Sequence, residues 1–150
     1  MLAAAAVAAP LALAATALSG SATPSLVVRD DRGRELVKAE LPDGGRFALA
    51  YRHSYYDAPA TEQFTVQRGE MRLRALTSPS AAVLDYYALP GRRTRGSGWL
   101  RLVPAEPRSY DRIPLIATAT GRRTLVVGDE RIPLYEREAR HLVITAEGGE

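Results

Sequence analysis

The 150-residue sequence has no cysteine, two histidines, two phenylalanines, one tryptophan and a single lysine. Without cysteine there is no disulfide framework, no cysteine-ligated zinc or iron–sulfur site and no thiol nucleophile. With only His53 and His141, an all-histidine metal site within one chain is not expected either. There is no Gly-x-Ser-x-Gly elbow and no glycine-rich phosphate loop, so nothing marks a cofactor, a metal or a catalytic nucleophile. What is abundant is arginine, 19 of the 20 basic residues, and alanine, 10 of whose 25 copies fall among the first 17 residues.

Residues 2–18 carry no charge and give way to Ser-Gly-Ser at 19–21, which reads as an export signal with small residues suited to cleavage after Ala17 or Ala22. The run lacks the basic start that usually precedes such a stretch. Interrupted by Pro10, it is short for a membrane span, and an uncleaved anchor over residues 2–18 is the alternative. Residues 1–22 are therefore assigned to the signal or anchor and 23–150 to one domain, in a periplasmic or otherwise exported setting, with membrane contact only through the first segment.

The net charge of +3 is local. Residues 77–124 hold 8 basic and 3 acidic side chains, and 125–150 hold 3 and 6. Within the basic block the string GRRTRGSG at 91–98 reads as a mobile loop from its Gly and Ser content. Solvated surface is the plain reading of the excess, and no basic stripe interleaved with exposed aromatics points to nucleic acid.

Past residue 24, apolar and polar positions alternate with period two in short runs broken by Gly, Pro or Asp. The expected class is all-β, a sandwich or partly open barrel of about eight to ten strands. The strands fall at 25–29, 35–41, 46–54, 61–68, 70–77, 98–104, 113–119, 124–127, 130–135 and 141–145. One short helix lies within 80–89, capped by Ser80 and ending before Pro90. Pro114 and Pro133 inside strand-like runs suggest edge strands or bulges, and Trp99, alternating with Arg101 and Val103, is expected in the core. The recurring strings Arg-Ile-Pro-Leu and Gly-Arg-Arg-Thr lie at different offsets and define no repeat.

The central meander can be set in register by hydrophobic parity. A loop at 55–60 places His53 opposite Glu62, Tyr51 opposite Phe64 and Leu49 opposite Val66. A two-residue turn at Arg68-Gly69 then sets Val66 opposite Met71 and Phe64 opposite Leu73. Tyr51, His53, Ser54, Tyr55, Tyr56 and Glu62 thereby gather at one hairpin mouth. If the short helix packs over it, Tyr86 and Tyr87 complete an aromatic-lined pocket with His53 and Glu62 at its base. A histidine beside a glutamate across a hairpin also serves as a structural polar pair. Ser54 is a poor nucleophile for His53, because neighbouring strand residues point to opposite faces. The binding-site candidates are thus Tyr51, His53, Ser54, Tyr55, Tyr56, Glu62 and Tyr86.

At Tyr51, His53, Ser54, Pro59, Glu62 and Phe64, preceded by the Asp-Gly-Gly-Arg-Phe turn at 43–47, the chain resembles the bacterial exported family named domain of unknown function 1850. That family's hallmark is an aromatic strand ending Tyr-x-His-Ser, followed by Pro and an acidic residue before an aromatic. The strand pattern extends the resemblance over residues 25–145. Many members carry a Gly-Ala-Gly stretch after the third strand where this sequence has SPSAAVLDYY at 78–87. The family has no established activity that the resemblance could carry over. The resemblance implies an accessory role beside a tripartite ATP-independent periplasmic transporter, with the solute-binding subunit or the membrane component as partner. An acid-base enzyme using His53 and Glu62 is the alternative, and it needs a third group that the sequence does not supply. A ligand-free structural envelope protein is the other.

Overall fold

The computed structural model describes residues 23–148, so the segment assigned to export or anchoring lies outside the described residues. Twelve strands run in chain order as β1 (Ser25–Asp30), β2 (Glu35–Glu40), β3 (Arg46–His53), β4 (Ala58–Gln67) and β5 (Glu70–Ser78), then β6 (Gly91–Gly96), β7 (Trp99–Pro104), β8 (Arg108–Tyr110), β9 (Arg112–Ile116), β10 (Thr124–Val127), β11 (Glu130–Pro133) and β12 (His141–Glu147). One helix, α1 (Ala81–Tyr86), separates β5 from β6. The chain is an all-β sandwich of two antiparallel sheets. The smaller has the order β2-β1-β12-β9; the larger runs β11-β10-β3-β4-β5-β7-β6, with β8 paired to the far half of β5. No helix among the described residues is long and apolar enough to cross a membrane.

Alternation dictates which side chains meet between the sheets. Leu26 and Val28 of β1 and Leu142 and Ile144 of β12 face Phe47 and Leu49 of β3, Phe64 of β4 and Met71, Leu73 and Leu76 of β5, all buried in one cluster. Each such side chain withdrawn from water contributes about 1.5–3 kcal/mol. Pro114 and Pro133 lie on β9 and β11, the outer strands of their sheets, where a missing N–H leaves no ladder bond unmade.

Both turns of the meander hold their chemistry. Arg68 and Gly69 take φ of 53° and 76°, the left-handed pair of a tight hairpin, and Val66 faces Met71 and Phe64 faces Leu73 as the parity requires. Beyond that point β5 carries a bulge, because Phe64 pairs with Leu73 while Gln63 pairs with Ala75. The bend lets one edge of β5 serve two partners, β8 at Met71–Leu73 and β7 at Leu76–Ser78.

The loop of the other hairpin is shorter than the sequence suggests. His53 pairs with Ala58, Tyr51 with Ala60, Leu49 with Glu62 and Phe47 with Phe64, a shift of four residues from the expected pairing of His53 with Glu62. An even shift keeps every side chain on its face while changing its neighbours. Phe47 and Phe64 now stack at 4.9 Å and 9° between ring planes, a contact worth about 0.5–1.5 kcal/mol beyond burial. The Arg52 N–H turns away from β4 to the Gly121 carbonyl (2.7 Å), so the pairing of Arg52 with Pro59 asks nothing of the missing proline N–H.

Two further expectations are corrected. Residues 91–96 form a strand rather than a mobile loop: β6 pairs with β7 along its whole length through the Ser97-Gly98 turn, whose φ angles are 51° and 79°. Being an edge exposed at every position, it lacks the alternation that marks a half-buried strand. Trp99 is 41% exposed and lies on the outer side of the large sheet, because Leu100 and Leu102 supply the inward row of β7.

Candidate functional site

The hairpin mouth, α1 and the segment leading into β10 meet at one end of the sandwich. Ser78, fully buried, fixes the helix: its hydroxyl donates to the Pro59 carbonyl (2.8 Å) and accepts from the Ser80 N–H (3.1 Å). Ser80 precedes the helix as expected, but its own side chain makes no capping bond. Val83 and Leu84 bury the inner face of α1, and Ala88, at φ 50°, ends it. This geometry turns Tyr87 inward and leaves Tyr86 69% exposed.

Tyr87 donates its hydroxyl proton to Glu62 Oε1 (2.6 Å). Its oxygen is hydrogen-bonded to the Tyr51 hydroxyl, which must be the donor there because Tyr87 has a single proton to give. The other Glu62 oxygen lies 4.0 Å from an Arg123 guanidinium nitrogen, and that guanidinium sits 4.5 Å over the Tyr51 ring. The result is a chain, Tyr51 to Tyr87 to Glu62, closed by a cation that touches both ends. Burial pushes the Tyr51 phenol up to about 12, with the Tyr87 hydrogen bond opposing and the Glu62 carboxylate adding to the rise. Burial likewise pushes Tyr87 far above the ordinary phenol range, reinforced by the Glu62 charge and by Tyr51.

His53 is 9% exposed and stands apart from this chain. No carboxylate of the described residues lies in salt-bridge reach of it, so the expected pair of His53 with Glu62 does not form; the four-residue shift carries Glu62 along the strand to Leu49. The imidazole is instead held by aromatics, edge-on to Tyr86 at 4.8 Å and tilted to Tyr56 at 5.1 Å. The Tyr56 N–H also makes a long 3.5 Å contact to Nδ1.

A pocket of about 610 Å³ opens here, within the ~300–1,000 Å³ typical of small-molecule sites. Of the sequence candidates, Tyr51, His53, Ser54, Tyr55, Glu62 and Tyr86 line it; Tyr56 lies behind His53 and does not. Tyr87 and Arg123 line it as well and are its most engaged polar groups. Tyr87 was visible in the sequence as one of a pair of phenols, with nothing to say which would turn inward. Arg123 carried no signal beyond its place in the basic block. It arrives because the 118–122 turn, closed by Thr118 hydrogen bonds to Gly121 and Arg122, brings the start of β10 alongside β3.

Chemically, the arrangement donates and accepts hydrogen bonds and presents two cations among aromatic walls, Arg123 and the Asp57-paired Arg52. The raised phenols stay protonated at neutral pH, and Ser54, exposed in the turn that follows β3, has no hydrogen-bonded base among the described residues. Fold and site together define a β-sandwich with an aromatic-walled pocket at one end. No protein-family model matches the chain, and neither does any curated protein or solved structure.

Proposed function

We propose that this chain is an exported, non-catalytic binding protein serving a tripartite ATP-independent periplasmic transporter, and that a small organic anion occupies the pocket between Tyr51, His53, Tyr86 and Arg123. The observation that carries the binding reading is the convergence of Arg123, the Tyr51–Tyr87–Glu62 chain and three aromatic rings on one 610 Å³ pocket, with no nucleophile paired to a base. The transporter association rests on the resemblance at Tyr51, His53, Ser54, Pro59, Glu62 and Phe64. In this reading Arg123 meets the anionic group, the rings cover the apolar body, and Glu62 holds Tyr87 and Arg123 in place rather than touching charge of its own sign.

The test has two arms. In thermal-shift titrations with small mono- and dicarboxylates, wild type is expected to be stabilised by at least one, and Arg123→Gln and His53→Ala to bind it about tenfold or more weakly while remaining folded. In a pull-down from envelope extract, wild type is expected to retain a transporter subunit and Glu62→Ala to lose it. Recovery of no transporter component, or variants that unfold while binding stays intact in the folded remainder, would refute the proposal.

A further inference from the structure

The side of the large sheet turned away from the core has a floor of small side chains. Ala48 and Ala50 of β3 lie beside Gln63 and Thr61 of β4. Two depressions of about 670 and 680 Å³ sit on this floor, one over Ala50 and Thr61, the other a pleat further along the same strands over Ala48 and Gln63. Arg101 stands in the Thr61 row, through Thr77, lines the second depression and donates to Gln63 in the next row (2.6 Å). The two depressions share no lining residue and follow one another along this face as two halves of an interrupted groove.

Its charge is one-sided. Arg52, Arg122 and Arg131 border the first depression, and Arg46, Arg74 and Arg101 the second. Among the described residues only Arg52 of these six has a carboxylate within 4.0 Å, that of Asp57, and Asp43 is the sole acidic residue lining either depression. The small sheet behaves differently, since Arg29 and Lys38 there both pair with Glu147. Five guanidinium groups without a carboxylate partner along one face create a field for a chain of negative charges, not for a single one. The groove also presents the exposed indole of Trp99, with Tyr135 lining the same depression.

We propose that this face binds an anionic polysaccharide, a chain of sugar rings bearing carboxylates. A stiff polymer of rings lies flat on an Ala/Thr floor. One ring face stacks on Trp99, ring hydroxyls bond to Thr61 and Gln63, and successive carboxylates meet the arginines on either side. An acidic polypeptide satisfies the charge but offers no rigid ring for the indole, and duplex DNA is too broad to seat its bases on this floor.

Trp99 is the protein's one tryptophan, so its emission reports on stacking directly. The probe is polygalacturonate, titrated into the full chain at low salt. We expect a saturating change in tryptophan emission, affinity about tenfold weaker in Arg46→Gln/Arg101→Gln and, by calorimetry, in Trp99→Ala, and no response to neutral dextran. All three positions are exposed, so these variants keep the wild-type circular dichroism spectrum and urea midpoint. Glu62→Gln, in the pocket at the end of the sandwich, should leave polygalacturonate affinity unchanged, which separates this site from that one. The proposal fails if polygalacturonate does not bind, if polyglutamate or duplex DNA binds as tightly with no dependence on Trp99, or if Glu62→Gln abolishes the interaction.

Discussion

Tyr87 joins two partly buried groups: if the phenol oxygen is removed, Glu62 loses its hydroxyl donor and keeps only Arg123 at 4.0 Å, and Tyr51 loses its acceptor. Tyr87→Phe is therefore expected to cost about 1–3 kcal/mol by urea denaturation, whereas Tyr86→Ser on the adjacent exposed position should stay within about 0.5 kcal/mol. The same pair of phenols makes the protein sensitive to alkali. Their folded pKa values are raised above the unfolded phenol value, so the stabilisation is fully present below pH ~10 and is lost as pH climbs toward the folded values. A spectrophotometric tyrosinate titration should show these two phenols ionising together with loss of the near-ultraviolet dichroism; ionisation of all seven tyrosines before any unfolding would contradict it. That Tyr51, His53 and Glu62 share one face of the sheet was legible from parity. That Glu62 would serve Tyr87 rather than His53 was not, since any even shift of the hairpin satisfies parity equally.

At the scale of elements, the turn before β3 decides the register of the hairpin. Gly45, at φ 60°, donates to the Pro42 carbonyl and accepts from the Val66 N–H, and a Cβ there would lie 2.8 Å from the Val66 carbonyl oxygen. Both the backbone conformation and the space exclude a side chain. Gly45→Ala should destabilise by about 1–3 kcal/mol and broaden the amide spectrum of β3 and β4; unchanged stability would show that the turn can relax without them. The β1–β2 turn is held by a side chain instead. Asp30 accepts from the Arg32 and Arg34 N–H groups and from the Arg34 side chain, which together outweigh its burial and hold its carboxyl below the usual range. Strands with one buried face could be read from their alternation, most of them to within a residue or two, although β4 begins and β9 ends three residues earlier than expected. β6 could not, because an edge strand exposed on both sides has no alternation to read, and the glycines that suggested a loop sit at the strand's ends. Gly91 in fact marks close packing: a Cβ there would meet the Val103 carbonyl oxygen at 2.2 Å.

For the molecule as a whole, the decisive pairing joins the two ends of the described chain. β12 lies between β1 and β9, and without it the small sheet falls into two unconnected pieces and Leu26 and Val28 lose Leu142 and Ile144. Deleting residues 141–148 should abolish the cooperative urea transition, and the intact chain should refold slowly, in the ~millisecond-to-second range of β topologies whose contacts are far apart in sequence. A truncated chain that still unfolds in one sharp step would contradict this. The pairing of Ser25 with Glu147 also gives the molecule a polarity. Ile116, which lines the pocket, pairs with His141 at the opposite end of β12, about 20 Å away at strand spacing. Anything attached at either end of the described chain, whether a tether, a surface or a fused protein, thus joins the sandwich at its base and leaves the mouth of the pocket facing outward.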